Sequence, residues 1–164
     1  MMWKTVKLIL LFVFATVCHW GFATLFSFWG LNVNFMLVFA AAFCAFSSLE
    51  IGYPVAFLCG LFLDFFGAKL FGNNAFSFTV AALVVYAARE RINFDSVVSQ
   101  VFGVFVLTCG VSLLNLLLLD WFVSAVPWPG VWSLLGSAAV GALLAPFVFW
   151  IVGRCWAPPV EEYD

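Results

Sequence analysis

The uncharged apolar run from Val97 to Leu119, bounded by Asp95 and Asp120, constrains this chain more than any other feature. At about 1.5 Å per residue, a helix over that run is long enough to cross a hydrocarbon core of about 30 Å. Comparable runs recur at 8–28, 33–49, 52–67, 73–88 and 131–152. The chain is 66% apolar and 9% charged, against roughly 45–50% and about 25% in soluble domains. A soluble domain of this length has too little interior to hide so much apolar surface. A bilayer solvates that surface and requires only that backbone groups pair within helices. The expected fold is therefore all-α: one polytopic membrane domain, a bundle of six transmembrane helices.

The breaks between runs carry turn and interface residues. Leu31 to Asn34 makes a short turn, and SSLEIGYP (Ser47 to Pro54) marks an interface and a helix start. Lys69 and Gly72-Asn73-Asn74 open the fourth run, and Arg89-Glu90-Arg91 with Asp95 separates the fourth from the fifth. Pro127-Trp128-Pro129-Gly130 forms the last loop, and Pro146 is expected to kink the sixth helix. The middle runs are short, which favours little tilt or a thinned bilayer.

Charge tests the number of crossings. With a cytoplasmic amino terminus, six crossings put Lys4, Lys7, Arg89, Arg91 and Arg154 inside and Lys69 outside, and both termini cytoplasmic. A re-entrant pair over residues 33–66 satisfies the same parity. The start, MMWKTVKLILLFVFATVCHW, has the lysines and apolar core of a signal peptide, but no small-x-small site follows it. Val17 before Cys18 also disfavours lipoprotein cleavage, so the segment is expected to stay as the first span. Tryptophans 3, 20, 29, 121, 128, 132, 150 and 156 mostly fall near run ends, as interfacial anchors do. The basic residues are scattered over a net charge of −2, which leaves no patch for nucleic acid. Cysteines 18, 44, 59, 109 and 155 lack paired spacing and read as small apolar residues.

One charge lies within the third run. Gly52, Ala56, Gly60 and Asp64 recur every fourth residue, forming on a helix a narrow stripe of small residues that ends in an acid. Such stripes admit a close helix neighbour, and within one polypeptide they usually pack the protein against itself. Gly103 and Gly110 on the fifth run, and Ser137, Gly141 and Ala145 on the sixth, carry the same expectation. Asp64 falls near the outer end of its span, where an interfacial carboxylate is expected to reach water. His19, Asp64, Asn115 and Asp120 together place polar groups in the outer half of the membrane, where they either line a shallow pocket or bond to one another. His19 has no nucleophile signature beside it, and a histidine in a span usually bonds to a neighbouring helix. No metal spacing is present, so neither catalysis nor a cofactor is expected.

The stretch GLFLDFFGAKLFG from Gly60 to Gly72, followed by NAFSFTVAALVVY to Tyr86, resembles the signature of the rod-shape-determining protein MreD family. Gly60, Asp64 and Gly72 match that family's motif residue by residue. Asn32-Val33-Asn34 replaces the family's frequent proline before the second span, and the tail, ending Glu161-Glu162-Tyr163-Asp164, is acidic where a basic end is common. The resemblance implies a non-enzymatic inner-membrane scaffold of the cell-elongation complex. Its implied partners are MreC first, then RodA, the rod-specific transpeptidase and the actin-like MreB, with membrane lipids around it. It also implies a fold similar to the S-components of energy-coupling-factor vitamin transporters, which supplies the alternative of a small-molecule capture protein. On the scaffold reading Gly52, Ala56, Gly60, Asp64, Gly67 and Gly72 pack helices or bind a partner.

Overall fold

The structure is a computed structural model and describes residues 2–27, 30–31, 33–67, 69–91, 94, 96–123 and 130–156, with backbone alone at 2–4 and 27. Residues 32, 95, 127–129 and the acidic tail lie outside the described residues, as do Trp29, Trp128 and the side chains of Trp3 and Lys4.

Six helices follow the apolar runs: α1 (Met2–Ser27), α2 (Phe35–Phe46), α3 (Leu49–Phe65), α4 (Asn73–Arg89), α5 (Val97–Val123) and α6 (Val131–Trp156). Three of them are long and apolar enough to cross a membrane, over Thr5–Phe26, Val97–Val123 and Val131–Trp156. Side chains such as Leu143, Val98 and Leu117 are exposed on the outer faces, as expected where lipid rather than water surrounds a bundle. Helix α3 begins at Leu49, ahead of the expected start at Gly52, and takes Pro54 inside its first turns. Helix α6 continues through Pro146 to Trp156.

Helix α2 is the centre. It packs against every other helix of the bundle, and all its residues but Phe46 are buried. Its 12 residues span about 18 Å at about 1.5 Å per residue, shorter than the run that marks it in the sequence. Asn34 caps its start by accepting from the Leu37 N–H at 3.2 Å.

The helices alternate in direction. At one end Lys7 donates to the Cys155 carbonyl at 3.4 Å, and the Phe43 and Trp156 rings meet at 4.8 Å. Tyr86 reaches the α2–α3 turn there. At the other end Trp20 meets Phe66 at 5.6 Å, Phe22 stacks on Phe35 at 5.5 Å, and Ser133 donates to the Gly30 carbonyl at 2.9 Å. Lys7, Arg89 and Arg154 thus gather at one end, with Lys69 at the other.

Candidate functional site

The site grows from a chemical gap at the start of α4. Gly72, at φ +89°, is its N-cap and has no side chain to accept the first free N–H groups of the helix. Asp64, at the end of α3, accepts them instead. Its Oδ1 takes the Asn74 N–H and the Asn74 side-chain amide, and its Oδ2 takes the Ala75 N–H, each at 3.0 Å. Asn74 and Ala75 hold the second and third helical positions, whose donors a capping side chain normally receives. The carboxylate also faces the positive end of the α4 dipole. Asp64 is 4% exposed, so the expected water-reaching acid is a buried one. Three N–H donors replace the solvent it was expected to need.

Gly60 makes this approach feasible. A Cβ there would overlap the Asn74 carbonyl oxygen and come within 2.6 Å of the Ala75 Cα, both backbone atoms that cannot swing away. Gly52, at the other end of the stripe, sits under the Tyr86 hydroxyl, which a Cβ would also overlap. Ala56 is buried between them. The stripe is therefore a face closed by α4 within the chain. Gly72 serves through its left-handed backbone and Gly67, at φ +142°, through the turn after α3; neither has a neighbour that a Cβ would meet.

Helix α4 is clamped at its far end too. Tyr86 donates to the Ser48 carbonyl at 3.0 Å and lies 3.2 Å from the Ser47 hydroxyl. Arg89 Nη1 donates to the carbonyls of Ser47 at 2.7 Å, Ala45 at 3.3 Å and Cys44 at 3.4 Å, placing a cation at the carbonyl end of α2. From sequence, Arg89 is expected only as a cytoplasmic charge and Asn74 only at the opening of the fourth run, and no bond is assigned to either or to Tyr86. An arginine and a tyrosine close to the end of an apolar run were the available signal.

The Asp64 joint continues sideways into α5. Asn115 donates to Asn74 Oδ1 at 3.3 Å and accepts a short hydrogen bond from Ser77. Above this network lies a cavity of about 490 Å³, walled by all six helices or their caps. Its lining includes His19 and Trp20 of α1, Phe62 and Phe66 of α3, Asn74 of α4, Ser112 and Asn115 of α5, Ser133 and Ser137 of α6, and Asn34 at the α2 cap. His19 lines it too, but its Nδ1 is buried without a protein partner, so the expected bond to a neighbouring helix is not made through that atom. Asp120 is exposed and does not line the cavity. Of the four polar residues expected together, Asp64 and Asn115 are joined through Asn74, His19 shares the cavity with Asn115, and Asp120 stands apart.

No family model, curated protein or solved structure matches this chain.

The two other small-residue stripes diverge. Ser137, Gly141 and Ala145 are buried, and Gly141 would place a Cβ 3.6 Å from Val38 and 3.9 Å from Thr108, ordinary packing inside the bundle. Gly103 and Gly110 instead line an apolar groove of about 430 Å³ with Ala81, Val84 and Ala88 of α4. A Cβ at Gly110 would meet nothing within 4 Å. A Cβ at Gly103 would lie 3.4 Å from the Phe94 ring, so the stripe packs against the chain at Gly103 and is open at Gly110.

Proposed function

We propose that this chain is a non-enzymatic scaffold of the MreD type, crossing the bacterial inner membrane six times with both termini in the cytoplasm. On this reading it organises peptidoglycan synthesis during cell elongation with MreC, and with RodA, the rod-specific transpeptidase and MreB in a larger complex. The observation that carries the reading is the division of labour within the motif: Gly60 admits the start of α4, Asp64 caps it and Gly72 turns the chain into it. A motif whose three residues build one joint specifies a helix arrangement, which is what a scaffold needs. The gathering of Lys7, Arg89 and Arg154 at one end agrees with the expected cytoplasmic bias.

The α4–α5 groove is the face such a scaffold offers to the single membrane helix of MreC. Its glycines allow close backbone approach, which is what drives helix association in lipid. Gly110→Leu fills open space, so it should leave melting temperature and helical content unchanged while lowering co-purification of MreC. Undiminished capture of MreC by that variant would remove the groove from the reading. Depletion of the protein should round rod-shaped cells; a culture that merely becomes vitamin-dependent overturns the scaffold.

The cavity favours a second reading, an S-component-like capture protein, because its volume falls within the roughly 300–1,000 Å³ of small-molecule sites. A vitamin retained in stoichiometric amount through gentle purification favours that reading. MreC co-purifying with an empty cavity favours the scaffold.

A further inference from the structure

We infer that the cavity at the α3–α4 joint binds an uncharged sugar ring, with its aromatic side chains against the ring face and its amide and hydroxyl groups against the edge. The inference concerns the cavity alone: on the scaffold reading the sugar is a ligand that purification can remove, and on the capture reading it takes the place of the vitamin.

The first argument is charge. No carboxylate, lysine or arginine side chain is among the described residues that line the cavity. The nearby acid, Asp64, lies behind Asn74 with both oxygens holding N–H donors, so the wall presents the Asn74 amide rather than a carboxylate. Two N-terminal donors of α2 are satisfied within the chain as well, Phe35 N–H by the Val33 carbonyl and Leu37 N–H by Asn34. An ion entering this space loses hydration and gains no counter-charge, a heavy penalty in a partly dry site. A neutral polar molecule avoids that penalty.

The second argument is the mixture of lining groups. Trp20 and Phe66 meet edge to face at 5.6 Å, and Phe62 packs on Phe66 at 4.7 Å, making one apolar flank. Trp20 and Phe66 are 48% and 59% exposed, so this flank reaches the mouth. The same cavity is lined by the amides of Asn34, Asn74 and Asn115 and by Ser112, Ser133 and Ser137. Each amide offers two donors and two acceptor sites, and the Asn115–Asn74–Ser77 bonds use only part of that capacity. A sugar ring has the complementary form: an apolar C–H face for aromatic rings and a rim of hydroxyl or amide groups.

The test uses one ring in three charge states. N-acetylglucosamine, glucosamine and N-acetylglucosamine 1-phosphate are each added to the purified full chain in nanodiscs, followed by native mass spectrometry and thermal melting. The neutral sugar should give a one-to-one adduct and raise the melting temperature, with the cationic and anionic forms weaker by about tenfold or more. Ser112→Phe, which puts bulk into the cavity one helical turn before Asn115, should abolish the adduct and keep helical content. Trp20→Ala, at the mouth, should weaken it by about tenfold, the scale of one aromatic contact. Equal binding of a charged form, an adduct that survives Ser112→Phe, or no adduct with the neutral sugar overturns the inference. Capture of MreC, measured separately, is unaffected by any of these outcomes.

Discussion

Asp64 does for α4 what a capping side chain ordinarily does from the adjacent residue, but it does so from ten positions upstream. That distance makes the bond a tertiary contact as well as a helix cap. Asp64→Asn keeps the size and loses one acceptor, leaving an α4 N–H facing an amide donor. The expected loss is about 1–3 kcal/mol, read as a lower melting temperature in detergent. Gly60→Leu should prevent assembly of the bundle, because the atoms it meets are backbone. Gly52→Ala should be costly in the parent chain and milder beside Tyr86→Phe, since the first atom its methyl meets is the Tyr86 hydroxyl oxygen. A double-mutant cycle on melting free energies measures that coupling, and strict additivity would contradict it. The Gly52–Ala56–Gly60–Asp64 stripe was legible in the sequence because side-chain periodicity reports a helix face directly. Burial of Asp64 was not, since the groups that replace water around it are mainly backbone N–H donors, which no pattern of side chains displays.

Among the elements, α4 is held at both ends by opposite charges, an acid at its amino end and its own arginine reaching the carbonyl end of α2. Arg89→Gln removes the cation while keeping an amide donor. It should loosen the α2–α3 turn by about 0.3–1 kcal/mol, the range for a charge at a helix terminus. Hydrogen exchange at the Ser47 and Gly52 amides should quicken relative to amides in α6; unchanged protection there would show that Arg89 is dispensable. Helix positions were readable from hydropathy, with α4 and α6 starting at the expected residues. The central place of α2 was not readable. A segment that is apolar on every side gives the same pattern whether lipid or protein surrounds it, and only the packing of five neighbours distinguishes them.

At the scale of the whole molecule, long helices α1, α5 and α6 stand beside the 12-residue α2 and the 17-residue α3 and α4. Such a bundle should melt at a higher temperature in dimyristoyl than in dioleoyl phosphatidylcholine nanodiscs, because a thinner bilayer matches its short elements. The reverse order would mean that the long helices set the hydrophobic thickness. The shortness of α2 has one more outcome. Its cap residue Asn34 belongs to the cavity wall while its helical residues do not, so the chamber begins where the axial helix stops. Its floor is a helix end, and its depth is counted in helical turns. Point substitutions can repaint the walls of that chamber, but adding one turn to α2 would raise the floor and close it.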